Sequence, residues 1–167
     1  MLRVYLAGKM SNRYVEDVKS ERKRATKELA KYQIRAVDPA AAEGKLWPKH
    51  RKAKISGRFK YSVMKAMVDH DKWLIRRCDV LLVLTGDITS EGTNAEFLYA
   101  KGIGIPVVMI APERVKGNWM GWTNVLIGEE NLFPDLKSAV KFIHKKYKKE
   151  YETNKAYFDA AIRHAQK

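Results

Sequence analysis

Cysteine is almost missing from this chain. With Cys78 as the single thiol in 167 residues, neither an internal disulfide framework nor a cysteine-based zinc cluster can form, and the composition fits a reducing, cytoplasmic setting. Long apolar runs are absent too. The opening MLRVYLAG is shorter than a signal-peptide core, and no stretch approaches the roughly 18 apolar residues of a membrane span. A soluble protein with no membrane partner is expected. Two nucleotide signatures are also lacking. There is no Walker loop, and GIGIPV (102–107) precedes an apolar strand-like run, the reverse of the order in a dinucleotide fingerprint. Kinase and dehydrogenase readings drop out. The four histidines show no metal-ligand spacing, and neither metal nor cofactor is expected. No Ser-His-Asp arrangement stands out, although separation along the chain does not exclude one.

Acids are scarce where bases crowd. The net charge is +14, and from Gly44 to Val68 there is no acid, against Lys45, Lys49, Arg51, Lys52, Lys54, Arg58, Lys60 and Lys65. A second basic cluster runs from Lys137 to Lys149. Such clusters are ordinarily solvated faces. A phosphate-bearing ligand or a nucleic acid is the alternative partner.

What is present alternates between strand and helix. LRVYLA (2–7) is β-prone, and after Gly8 the residues Val15, Val18, Ala25 and Leu29 recur at helical spacing. IRAVD (34–38) is a second strand closed by Pro39, and 40–58 is a long loop with room for one helical turn at its alanines. Val63, Met67 and Leu74 share a helical face. DVLLVLT (79–85) and IPVVMIAP (105–112) are continuous apolar runs of the kind buried on both faces of a parallel sheet. TNVLIG (123–128) is the candidate fifth strand. The fold class is α/β: a single-domain three-layer sandwich with a five-stranded, mostly parallel sheet flanked by helices, Rossmann-like or flavodoxin-like. Residues 1–135 form the α/β domain, and 136–167 a lysine-rich helical extension packed on it.

Ligands of such sheets lie beyond the carboxyl ends of the strands. Gly8–Ser11, Asp38–Glu43, Thr85–Glu96 and Ala111–Trp122 are therefore expected to converge on one crevice. Within it, Glu96 is placed in the first turn of a helix introduced by Gly92 and Thr93, where free N–H groups and the helix dipole favour an ionised carboxylate. A charged acid aimed into a cleft is a nucleophile or general base; aimed elsewhere, it is an ordinary helix-start residue. Asp71, about two helical turns before Asp79, competes with Asp69 and His70 for an acid–base role.

Taken together, VYLAG, DKWLIRRCDVLLVL and GTNAEFLYAKGIGIPVVMI resemble the nucleoside 2-deoxyribosyltransferase family and its relatives, the 2′-deoxynucleoside 5′-phosphate N-hydrolases, over about residues 2–128. The resemblance implies that Glu96 is the nucleophile, that Asp71 handles the base and that Tyr5 holds the nucleophile's carboxylate. It also implies substrate contacts from Gly8, Ser90, Gly92 and Thr93. NWMGW (118–122) is similar to the segment by which transferases reach into a neighbouring subunit's site, which implies Asn118 as a shared substrate contact in a homo-oligomer. Transferases usually carry aspartate six residues before the nucleophile. Ser90 stands there instead, as in the nucleotide hydrolases, where a hydroxyl suits a 5′-phosphate that a carboxylate would repel.

The expected activity is cleavage of the N-glycosidic bond of a 2′-deoxynucleoside through a covalent deoxyribosyl-Glu96 intermediate, with transfer to another nucleobase. The alternatives are an N-hydrolase of nucleoside 5′-monophosphates and, in a different class, an inactive nucleotide- or nucleic-acid-binding module.

Overall fold

The computed structural model describes residues 1–84, 90–111 and 125–165. Its centre is a five-stranded sheet of β1 (Arg3–Ala7), β2 (Arg35–Val37), β3 (Val80–Val83), β4 (Val107–Ile110) and β5 (Leu132–Phe133), in the order β2-β1-β3-β4-β5. Every adjacent pair is parallel. In register, Tyr5 of β1 lies between Val37 of β2 and Leu81 of β3.

Strand alternation sorts the side chains into two cores. Val4, Leu6, Leu82 and Val108 face one layer, where they meet Ala25 and Leu29 of α1 (Val15–Ala30) and Val140 of α5 (Leu136–Ile143). Tyr5, Ala7, Leu81 and Val83 face the other, against Ile75 of α3 (Tyr61–Ile75) and Phe97 of α4 (Glu91–Gly102). This is the three-layer sandwich expected from the alternating pattern. The continuous apolar runs became the central strands because both of their faces are covered: all four residues of β3 are buried, and all four of β4.

The stretch 40–58 contains a short helix α2 (Ala40–Glu43) followed by a 3₁₀ turn at Gly44–Leu46. Trp47 and Ile55 pack inward on Val15 and Val18, and the loop crosses the start of α1 through Val15 N–H to Ala53 O at 3.1 Å and Asn12 N–H to Ile55 O at 2.9 Å. A Cβ on Gly57 would come within 3.0 Å of Ser11 Cβ, so the glycine permits this close approach.

Two expectations are corrected. Of 123–128, residues 125–127 are helical, and the fifth strand is Leu132–Phe133, paired to Met109 and Ile110. Val125 is 80% exposed, so that apolar run never had two covered faces, and short apolar runs do not reveal helix from strand by period. The predicted face of α3 is only half-covered: Val63, Met67 and Leu74 are half-buried, while Tyr61, Met64, Val68 and Trp73 stay exposed. After α5 comes a π-helical turn, His144–Lys148, and then α6 (Lys149–Ala165). No helix among the described residues is long and apolar enough to cross a membrane.

Candidate functional site

The crevice opens where the chain leaves β1 in one direction for β2 and in the other for β3, the switch point of the sheet. Its volume is about 390 Å³. Gly8 and Ser11 follow β1, Glu43 ends α2, Asp71 comes from α3, and Ser90 and Glu96 belong to the start of α4. Trp47, Ile55 and Phe59 of the long loop form an apolar wall.

At its centre, the Tyr5 hydroxyl donates a hydrogen bond of 2.7 Å to Glu96 Oε1. Tyr5 is fully buried, because its strand position points it into the layer beneath α4. Asp71 joins the same site with a buried Oδ1 that has no hydrogen-bond partner. Its rivals lie outside. Asp69 is exposed and paired to Lys65 at 2.6 Å, and the exposed His70 stacks on Trp73.

Glu96 departs from the sequence reading in one respect. The helix begins earlier than expected, with Ser90 as N-cap accepting from Thr93 N–H at 3.5 Å. Glu96 therefore sits in the second turn, past the free N–H groups, where the dipole acts weakly. Burial pushes its carboxyl up to about 8, assisted by Asp71 and Glu43 and opposed by the Tyr5 hydrogen bond and Arg22. Desolvation outweighs the helix start and favours the protonated carboxyl.

Asp71 is likewise raised to about 6 by burial, with the Tyr5 hydroxyl, His70 and Arg22 pulling it down. Tyr5 itself is raised well above its usual value by burial and by the Glu96 and Asp71 charges.

Two buried charged residues were not singled out from the sequence. Glu43, only 6% exposed, faces the crevice. Burial and then Asp71 raise it to about 7. Arg22 is 3% exposed and donates to Leu6 O at 3.0 Å, Gly8 O at 3.1 Å and Asp38 Oδ1 at 2.5 Å, so it ties together the chain ends leaving β1 and β2. A signal for Arg22 existed: it falls within the buried series Val15, Val18, Arg22, Ala25, Leu29, where a charge demands a buried partner. Glu43 had only its place in the Asp38–Glu43 stretch expected at the crevice, since the fold of the 40–58 stretch is what turns its side chain inward.

Gly8, Ser90, Gly92 and Thr93 all line the crevice, Thr93 being almost wholly buried. A Cβ on Gly92 would meet nothing closer than Ser90 Oγ at 3.9 Å, so no steric demand fixes a glycine there. Asn118 lies outside the described residues. Among the described residues, no group of three or more His, Cys, Asp and Glu is arranged to hold a metal ion.

The arrangement lines one crevice with the carboxyl groups of Glu43, Asp71 and Glu96, a hydroxyl bonded to one of them, and apolar side chains. It suits chemistry at a carbon that develops positive charge beside a flat leaving group. Solved structures that share the fold include two enzymes. The 2-deoxyribosyltransferase of Bacillus psychrosaccharolyticus superposes with a TM-score of 0.57 at 19% identity, covering 83% of this chain and 90% of that one. The CMP N-glycosidase of Clostridium botulinum superposes with a TM-score of 0.50 at 15% identity, covering 84% and 96%. The resemblance noted in the sequence is thus met at the level of fold. No curated protein matches the sequence. With a family model matching residues 2–109, the chain belongs to the family described as Domain of unknown function (DUF4406).

Proposed function

We propose that this protein cleaves the N-glycosidic bond of a 2′-deoxynucleoside or its 5′-monophosphate through a covalent deoxyribosyl ester on Glu96. The observation that carries the reading is the 2.7 Å bond from Tyr5 to Glu96 Oε1 in a crevice that also presents Asp71. Tyr5 fixes one carboxylate oxygen and leaves the other to attack.

Ionised Glu96 attacks C1′ as the bond from C1′ to the base nitrogen breaks, its electron pair going to the base. Asp71 in its protonated form delivers a proton to that base, which lowers the leaving barrier. A second nucleobase or water, giving its proton to the Asp71 carboxylate, then attacks C1′, and the bond from C1′ to Glu96 breaks to restore the Glu96 carboxylate. This sequence needs Glu96 ionised and Asp71 protonated, whereas their order of pKa, about 8 and about 6, favours the opposite arrangement. The productive form is a minor tautomer, drawn out because positive charge develops at C1′ next to Glu96.

Transfer to a second nucleobase is the leading form of the activity. It includes Asn118 reaching the site of a neighbouring copy, and the exposed apolar residues of α3, Tyr61, Met64, Val68 and Trp73, support a homo-oligomer because such side chains gain by being covered. A cytoplasmic setting is part of the same reading. Hydrolysis of a nucleoside 5′-monophosphate is the second form. Ser90 favours it, since a neutral hydroxyl and the first N–H groups of α4 line the crevice and accept a phosphate where a carboxylate would not.

The test is chromatography of deoxynucleosides and their 5′-monophosphates incubated with the protein, with and without a second free base. A new nucleoside identifies the transferase and free base alone the hydrolase. An unchanged mixture across all donors would leave a binding module and overturn the enzyme reading.

A further inference from the structure

Most of the positive charge that the sequence concentrates in 44–60 points to solvent: Lys45, Lys49, Arg51, Lys52, Lys54 and Arg58 are all exposed, and the loop turns Trp47 and Ile55 inward instead. A convergent basic site lies elsewhere. Between α1 and α2 is a groove of about 290 Å³, separate from the crevice but sharing Trp47 with it. Ala40 and Ala41 of α2 line the groove, whereas Glu43 of the same helix lines the crevice.

Lys19, Lys23 and Lys27 form one side of the groove. Their spacing of four residues stacks them in a row along α1, about 6 Å apart. All three are exposed, and none forms an ion pair within the described residues. Like charges four apart on a helix repel, so the row is unfavourable unless something negative bridges it. The acids interleaved in α1 do not: Glu21 is taken by Arg13 at 2.7 Å and Glu28 by Lys31 at 2.5 Å.

A second observation comes from the floor. Arg22 lines the groove at 3% exposure, and its Nε is buried with no hydrogen-bond partner. Among the described residues, Asp38 is the one acid lining the groove, and its Oδ1 already accepts from Arg22 at 2.5 Å and from Ala40 N–H at 3.0 Å. Four cations thus face one paired carboxylate.

We propose that the groove between α1 and α2 binds a small oligophosphate anion, with Lys19, Lys23 and Lys27 as its ligands and the Arg22 guanidinium as the charge beneath it. A single phosphate spans two neighbouring lysines of such a row. A chain of two or three phosphoryl groups spans all three, so the groove favours the longer anions. Because Arg22 also holds Gly8 O and Asp38, the ligand adjoins the framework of the crevice without entering it.

The full chain is titrated calorimetrically with inorganic phosphate, pyrophosphate and tripolyphosphate at constant ionic strength. Affinity is expected to rise in that order. Lys23→Ala/Lys27→Ala is expected to weaken tripolyphosphate binding about tenfold or more, while Lys45→Ala/Lys49→Ala, in the outward-facing cluster, leaves it unchanged. Alanine suits an exposed helix, and an unchanged thermal midpoint confirms that lost binding is not lost folding. Equal weakening by both double variants, or no preference among the three anions, would mean diffuse attraction to a basic surface and overturn the proposal. A single-stranded oligonucleotide that binds more tightly than tripolyphosphate through the same lysines would overturn the small-anion assignment. None of these readouts depends on turnover, so this site and the proposed activity stand or fall separately.

Discussion

Replacing Tyr5 by phenylalanine removes one oxygen atom, the one that donates to Glu96 Oε1 at 2.7 Å. Tyr5 is fully buried and the ring of phenylalanine fills the same space, so folding stability is expected to change by less than about 1.5 kcal/mol. The effect on Glu96 is larger. A hydrogen bond to a charged acceptor contributes about 1.5–3 kcal/mol, which corresponds to roughly one to two pKa units. That bond lowers a carboxyl that burial already raises to about 8, so its loss drives the group higher still. At pH 7 the ionised fraction, and with it turnover, is expected to fall roughly 10- to 100-fold. The deficit is largest below pH 8 and closes at higher pH, where Glu96 is ionised in both proteins, so the alkaline limb of the profile moves outward. Base release measured from pH 6 to 10 on both proteins checks this, with circular dichroism confirming the fold. A uniform loss at every pH would assign Tyr5 to substrate contact, and an unchanged profile would refute its role in setting the charge of Glu96.

For the parent protein, kcat/KM against pH is expected to be bell-shaped, with limbs near 6 and 8 that belong to the carboxyl cluster as a whole; a profile flat across both values would remove these groups from the reaction. Glu96→Gln is expected to abolish turnover and to make the protein relatively more stable as pH rises. The raised folded-state pKa contributes stability that is fully present below about 4.5 and is lost as pH rises through about 8, a difference on the order of 5 kcal/mol by pH 9; parallel melting curves for the two proteins from pH 5 to 9 would contradict the burial of that charge. Asp71→Asn is expected to slow donors with poorly leaving bases about a hundredfold and good leavers much less; an equal loss for all donors would place Asp71 outside proton transfer. Ser90→Asp is expected to lower the ratio of nucleotide to nucleoside turnover, and a constant ratio would detach Ser90 from the 5′ substituent.

The sheet was legible because its evidence is local. Each of DVLLVLT and IPVVMIAP carries enough consecutive apolar residues to demand two covered faces, and the alternation of such runs with helical spacing leaves few topologies. The fifth strand was not legible, since β5 has two residues and is specified by its pairing with β4. The site was legible only through family resemblance. Tyr5 and Glu96 are 91 positions apart, and nothing in the spacing of either announces the other. The pull on the Glu96 proton was illegible for the same reason: its local position speaks for an anion, whereas the largest influence on its pKa is desolvation under the packed layers, which no short window contains. Asp71 shows the converse, because packing puts it in the crevice and leaves Asp69 and His70 on the surface, a difference that local pattern does not contain.

The contrast between a chain of net charge +14 and a crevice of protonatable carboxyls follows from the same distinction. Lysines on exposed loops and helix faces keep their charge in water at little expense and raise the local concentration of anionic ligands by long-range attraction. Inside, Glu43, Asp71 and Glu96 line one crevice, and the buried guanidinium whose charge lowers each of them, Arg22, already gives its hydrogen bonds to Asp38 and to the carbonyls of Leu6 and Gly8. One partly committed cation does not offset three carboxylates at once, so burial raises all three. Under the function proposed above, such a crevice gives up a proton to the departing base while retaining one anion for bond formation, and the buried Oδ1 of Asp71, which has no hydrogen-bond partner, is the atom from which that proton would leave.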